Sequence, residues 1–140
     1  MTPSLNSPFL KSIAQDYNPR IKSVSFGDLS LLKSSPLGIA WQHAPGKYMI
    51  EIDKARLVCP YQVLYVFYHE LGHIMCGHIA SYHRALGGLN PYREIEADRW
   101  AWKEMGLIDI HGNINEETRV CYECMISRSK VCLTPISTEV

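Results

Sequence analysis

The sequence has no excess of charge of either sign. Its 140 residues include 14 Lys and Arg against 14 Asp and Glu, and its isoelectric point is near 7. A nucleic-acid-binding domain usually carries a basic face or arm, and the basic residues here are scattered. Repeats and low-complexity segments are also absent, while 46% of the residues are hydrophobic. We therefore expect one folded domain over residues 1–140 that does not bind nucleic acid.

The sequence also lacks a hydrophobic run long enough to cross a membrane. Its longest uncharged apolar stretch, residues 57–68, is interrupted by Pro60 and Gln62, whereas a membrane-spanning helix needs about 20 apolar residues. The first residues show neither the basic start nor the apolar stretch of a targeting peptide. We therefore expect a cytoplasmic protein without a membrane partner.

A first helix and a β-hairpin are predicted in the N-terminal part of the chain. Ser7 is expected to cap a helix that ends at Asn18. Alternating apolar residues predict strands over residues 38–43 and 47–53, joined by a turn at residues 44–46.

Two longer helices are predicted after the hairpin. The first begins at Pro60, has apolar residues on nearly every side, and is expected to run as a buried central helix to about His83. The second is bounded by Asn90 as its cap, Pro91 at its first position and Gly106 after its end. Together these elements predict an α+β domain with helices packed on a short antiparallel hairpin sheet.

The central helix contains His69 and His73 with Glu70 between them. Residues four apart lie about 40° from each other around a helix, so both imidazoles can reach one metal ion. Neutral imidazole is a good zinc donor, and tetrahedral zinc leaves room for a water. Glu70 is expected to accept the proton of that water rather than to bind the metal. The alternative is a chance coincidence, but an apolar helix gives little reason to bury two His and a Glu.

The next helix offers the third ligand that a catalytic zinc needs. Glu94 and Asp98 are four apart, so if Glu94 binds the metal, Asp98 can hydrogen-bond the distal nitrogen of a ligating histidine. Glu96 lies about 200° round the helix from Glu94 and is the alternative ligand. His78 is not expected to contribute, because on a continuous helix it would point about 140° away from His73.

The five cysteines are an odd number and favour thiols or metal ligands over a disulfide framework. Cys76, three residues after His73, could reach a metal, although a buried thiol is commoner. A C-terminal tail, residues 107–140, is expected to contain a helix from near Asn115. Its thiols and a preceding histidine could hold a second, structural zinc ion: Cys121, Cys124, Cys132 and His111. Packed thiols and a redox pair are the alternatives.

The motifs of the two long helices resemble the ImmA/IrrE-type zinc metallopeptidases, which belong to the thermolysin-like gluzincin group. The resemblance rests on residues 69–73, on Gly77-His78 and on residues 94–101, and it covers roughly residues 20–105. It implies a small zincin-like core with a hairpin sheet, an active-site helix and a second helix that bears the glutamate ligand. It also implies hydrolysis of peptide bonds, since family members often cleave or control repressor proteins.

The expected function is therefore that of a zinc-dependent endopeptidase acting on a protein or peptide, with a transcriptional repressor as a candidate substrate. His69, His73 and Glu94 would hold the zinc ion, and Glu70 would act as general base and then as acid. An extended substrate is expected to pair with strand 47–53. The donor to the oxyanion is open among four residues: Tyr82, His83, Tyr92 and His43. The alternative function is a zinc-binding interaction module that regulates a partner without hydrolysis.

Overall fold

The computed structural model describes residues 5–32, 35–57, 60–79 and 91–106. It contains three α-helices, three strands and one 3₁₀ turn in the order α1 (Ser7–Tyr17), β1 (Ile21–Phe26), β2 (Gly38–Ala44), β3 (Lys47–Ile52), the turn Lys54–Arg56, α2 (Pro60–Met75) and α3 (Pro91–Glu104). These elements form a small α+β domain, as predicted. The predicted cap Asn90, the helix from near Asn115 and the tail 107–140 lie outside the described residues.

The first helix is capped by a different residue from the one predicted. Asn6, not Ser7, is the N-cap, and its side-chain oxygen accepts a hydrogen bond from the backbone N–H of Phe9 at 2.9 Å. The Ser7 hydroxyl instead donates to the backbone oxygen of Val24 and so ties α1 to β1. The helix ends before Asn18, as its sequence predicted.

The sheet contains one strand that the sequence pattern did not reveal. β2 and β3 form the predicted antiparallel hairpin, and β1 pairs with β3 in parallel, so the strand order is β1-β3-β2. A register shift between Ile21 and Ser23 interrupts the alternation of β1. Ile21 and Val24 are consequently both buried although they are three residues apart. A strand without a two-residue period is not detectable by alternation.

Because β3 is the central strand, the prediction that it offers an edge to an extended substrate is wrong. The backbone of β3 pairs with β1 on one side and with β2 on the other. The edges of the sheet formed by the described residues are therefore β1 and β2. Helix α1 packs on β1, whereas β2 lies against α2.

The hydrophobic core lies between the sheet and helices α1 and α2. It is formed by fully buried side chains from all of these elements, including Leu10, Ile21, Ile50, Ile52, Phe67 and Leu71. Burial of each large apolar side chain contributes about 1.5–3 kcal/mol. Helix α2 is buried along most of its length, as its composition predicted, and His69 and Glu70 are buried with it. In the described ranges, no helix combines the length and the apolar character that crossing a membrane requires.

Helix α2 ends well before the predicted limit near His83. Gly77, with a φ of 77°, terminates it in a Schellman motif. The N–H of His78 donates to the oxygen of His73 at 2.9 Å, and the N–H of Gly77 donates to the oxygen of Ile74 at 3.1 Å. Glycine adopts this left-handed conformation without steric cost. The chain therefore turns back at Gly77 and returns His78 to the side of His73.

Helices α2 and α3 approach each other closely at Gly72. A Cβ atom on Gly72 would lie 3.0 Å from the backbone oxygen of Ala97 and 3.3 Å from its Cα. Ala97 and Ala101, on the facing side of α3, are fully buried. Small residues on both helices therefore allow the two backbones to approach, and this contact places α3 beside the histidines of α2.

Replacing Gly72 by alanine should destabilise the protein, although alanine is the better helix former. The added methyl group would press on the backbone of α3 at Ala97, and overpacking of this kind costs about 1–3 kcal/mol. Thermal unfolding of Gly72→Ala should therefore show a Tm several degrees lower. Ser12→Ala, on an exposed position of α1, is the control and should leave the Tm nearly unchanged. A Tm of Gly72→Ala above that of the wild type would contradict the close packing.

Candidate metal centre

The side chains of His69, His73 and Glu94 converge between α2 and α3. The Nε2 atoms of the two histidines are 3.1 Å apart. Oε1 of Glu94 lies 2.9 Å from Nε2 of His69, and Oε2 of Glu94 lies 3.0 Å from Nε2 of His73. A tetrahedral ion with bonds of about 2.0–2.1 Å separates its ligand atoms by roughly 3.3 Å. These three side chains, called the metal group below, could hold one metal ion if their donor atoms moved slightly apart.

Burial and hydrogen bonding strongly perturb the acid–base properties of this group. Burial opposes a charge on His69, but hydrogen bonds with Asp98 and Glu94 and the charge of Glu70 outweigh it and raise the pKa of His69 to about 10. Burial also opposes a charge on Glu94, yet its hydrogen bonds with His69 and His73 hold its pKa far below the usual range. The three side chains thus favour a positive charge at the point where they converge, which is the charge that a bound cation would supply.

Asp98 and Tyr65 orient His69 from its other side. Oδ1 of Asp98 is 2.6 Å from Nδ1 of His69. The hydroxyl of Tyr65 donates to the same carboxylate oxygen. This arrangement directs Nε2 of His69 towards Glu94. The sequence analysis did not identify Tyr65, although its position four residues before His69 on the same helix face was a usable signal.

His78 and Glu96 lie beside His73. The Nδ1 atoms of His73 and His78 are 2.9 Å apart, and Nε2 of His78 is 2.6 Å from Oε1 of Glu96. The prediction that His78 points away from His73 is wrong, because it assumed that α2 continues through Gly77. Glu96, considered above as the alternative ligand, contacts His78. Glu94 is the glutamate that contacts both His69 and His73.

Glu70 is buried next to the metal group but is not one of its three donors. Its residue is 8% exposed, and its negative charge contributes to the raised pKa of His69. A Cβ atom on Gly38 would lie 3.0 Å from Cγ and 3.2 Å from Oε2 of Glu70. The carboxylate therefore lies against β2, where a side chain at position 38 would crowd it.

Of the other predicted site residues that the structure describes, Tyr92, His43 and Cys76 are not among the three donors of this group. Tyr92, a candidate donor to the oxyanion, is 82% exposed, and His43 is exposed on β2. Cys76 forms a second group of possible ligands with His78 and Glu96, whose donor atoms all lie within 4.8 Å of one another. The other candidates lie outside the described residues: Tyr82, His83, His111, Cys121, Cys124 and Cys132.

Comparison of the chain with protein-family models, with curated proteins and with solved structures finds no match. The function is therefore inferred from the geometry of the metal group and from the resemblance in sequence.

Substitution of Glu94 and of Glu96, both on α3, should show which of the two is a metal ligand. The wild type purified without chelator should contain about one divalent metal ion per chain. Glu94→Gln should lose it, because the neutral amide removes the charged oxygen donor from the group. Glu96→Gln should retain a stoichiometric ion. Metal analysis by mass spectrometry makes the comparison, with circular dichroism confirming that both variants are folded. Loss of metal from Glu96→Gln alone would reverse the assignment.

Proposed function

We propose that this protein is a zinc-dependent endopeptidase of the ImmA/IrrE type that hydrolyses peptide bonds in a protein substrate. The observation that carries the proposal is the division of roles among the buried polar residues of α2. His69 and His73 face Glu94, whereas Glu70 lies beside the group against β2. Two histidines and one glutamate are the ligands of catalytic zinc in thermolysin-type enzymes, and they leave a coordination position open.

The donor set favours zinc over magnesium and calcium. Imidazole nitrogen suits zinc, whereas magnesium and calcium prefer sites built from oxygen donors. Three protein ligands, rather than four, distinguish a catalytic zinc site from a structural one. Zinc bound here would supply a Lewis acid that polarises the substrate carbonyl and lowers the pKa of a coordinated water towards about 7.

The residues of the chain itself supply positioning and proton transfer. The carboxylate of Glu70 would accept the proton of the attacking water and deliver it to the leaving amine. Asp98, by accepting the Nδ1 proton of His69, would keep Nε2 available as a donor to the metal. The apolar surroundings of α2 strengthen these interactions, because charges interact more strongly where water is excluded.

The proposed substrate is a protein, and the resemblance to the ImmA/IrrE type suggests a transcriptional repressor as its class. The chain offers no basic surface arm for nucleic acid in its composition. A repressor substrate would therefore be recognised through its polypeptide rather than through DNA bound to it.

Glu70→Gln should keep the metal and lose the activity. The amide preserves the size of the side chain but cannot accept a proton, and loss of general-base catalysis lowers turnover by about 10²–10⁴-fold. A library of proteome-derived peptides, incubated with each protein, would reveal cleavage as new N-termini identified by mass spectrometry. Equal metal content and equal Tm of the two proteins are the controls.

Cleavage by Glu70→Gln at the wild-type rate would refute the role of Glu70. Stoichiometric zinc without any cleavage by the wild type would favour the interaction module instead.

Gly38→Ala should weaken the activity through the position of Glu70. The added Cβ would lie 2.6 Å from Cγ1 of Val66 and 3.2 Å from Oε2 of Glu70, so the Val66 side chain must shift and Glu70 must move by a fraction of an ångström. A displacement of about 1 Å can cost up to about 100-fold in rate, so this smaller movement should cost less. We expect a loss of peptide hydrolysis with unchanged metal content.

The matched control for Gly38→Ala is Gly106→Ala. Gly106 has a φ of 75° and no atom within 4 Å of the added Cβ. This substitution should strain the backbone and lower the Tm while leaving turnover per folded molecule unchanged. Equal activity of the Gly38→Ala and wild-type enzymes would show that β2 does not position Glu70.

A further inference from the structure

We propose that His78, together with Glu96, is a positioning residue that fixes the tautomer and orientation of His73 for metal binding. The inference rests on the metal site of the proposed function. It concerns a side chain that the sequence pattern alone directs away from the site. His78 follows the end of α2, and Glu96 lies on α3.

The direction of each hydrogen bond follows from the role of His73. A neutral imidazole that binds a metal through the lone pair of Nε2 carries its proton on Nδ1. Nδ1 of His73 is 2.9 Å from Nδ1 of His78, which must therefore act as the acceptor. The proton of His78 then lies on Nε2, from which it donates to Oε1 of Glu96 at 2.6 Å. Each ring nitrogen of His78 is then used once, Nδ1 as an acceptor and Nε2 as a donor.

The hydrogen bonds from His73 through His78 to Glu96 support His73 in the way that Asp98 supports His69. The negative charge of Glu96 makes Nδ1 of His78 a stronger acceptor, which in turn holds the Nδ1 proton of His73. The side chain of His78 is only 7% exposed, whereas that of Glu96 is 61% exposed. The negative charge that polarises the two imidazoles therefore lies at the solvent boundary, where it costs little desolvation free energy.

The backbone places His78 for this role. The Schellman motif at Gly77 joins the N–H of His78 to the carbonyl oxygen of His73 at 2.9 Å. The same two residues are thus connected once through the backbone and once through their imidazoles. This double connection limits the freedom of the His78 ring.

A cation held by Cys76, His78 and Glu96 would conflict with this arrangement. Binding through Nε2, the atom that faces Glu96, would place the proton of His78 on Nδ1. That proton would point at the protonated Nδ1 of His73 across 2.9 Å. Two donors would then face each other, so the positioning role and a second metal ion are mutually exclusive.

The test is zinc affinity, measured by competition with a chelating fluorophore and without any assay of activity. His78→Gln moves the polar atoms to the end of a longer side chain and should weaken zinc binding by about 10–100-fold. His78→Asn, whose Oδ1 lies where Nδ1 was, should recover most of the wild-type affinity. Glu96→Gln should weaken binding by a few-fold, whereas Asp16→Asn, an exposed residue of α1, should not.

Nuclear magnetic resonance of the zinc-loaded protein supplies a readout that general loosening of the fold would not produce. The Nδ1 proton of His73 should give a slowly exchanging signal in the wild type and in His78→Asn. It should exchange rapidly in His78→Gln at an unchanged Tm. The comparison of Asn with Gln uses two polar variants, so it does not depend on an apolar substitution that fails to fold.

The outcomes separate this inference from the proposed function. Zinc binding by the wild type with equal affinity in all His78 variants would overturn the positioning role and leave the metal site intact. A second zinc ion per chain that disappears in Cys76→Ala would also overturn it. Absence of zinc binding in the wild type and in Asp16→Asn would instead overturn the proposed function, and the inference with it.

Discussion

The backbones of α2 and α3 touch where Gly72 faces Ala97, and the metal group depends on this contact. Two of its members, His69 and His73, belong to one helix, but Glu94 comes from another element more than twenty residues later. Metal–ligand distances tolerate errors of only about 0.2 Å. The helices must therefore be held at a fixed separation, and the absence of a side chain at Gly72 sets that separation. Gly72 is thus required for the helix packing that brings the residues of the site together.

The second constraint is that α2 is an apolar helix with polar residues buried inside it. A buried polar group without a partner costs several kcal/mol by transfer measurements, about 2–7 depending on the reference. Each histidine of the group meets this requirement at both ring nitrogens. His69 lies between Glu94 and Asp98, and His73 lies between Glu94 and His78. The contacts that satisfy the buried imidazoles are also those that aim their Nε2 atoms at one point, so stability and the proposed metal binding depend on the same hydrogen bonds.

Much of the local structure could be predicted because its causes are local. Pro60 and Pro91 mark the starts of the long helices, and Gly106 marks the end of α3, since these residues act on their own backbone. β1 could not be predicted, because a register shift removes its alternation and its pairing with β3 is not encoded nearby. The end of α2 was misplaced for another reason. Gly77 is a sufficient stop signal, but the apolar sequence around it suggested a longer helix.

The sequence by itself determined that His69 and His73 lie one turn apart on the same face, because hydrogen bonding within a helix fixes that relation. It also determined that Glu94 and Asp98 share a face of α3. Which of Glu94 and Glu96 contacts the two histidines was decided only in the tertiary structure. It depends on the rotation of α3 about its own axis, which the packing of Ala97 and Ala101 against α2 sets. The return of His78 to His73, and the central position of β3, were likewise decided by contacts between elements. Helical geometry follows from the order of the residues along one segment, whereas the fit between segments depends on side chains far apart in the chain.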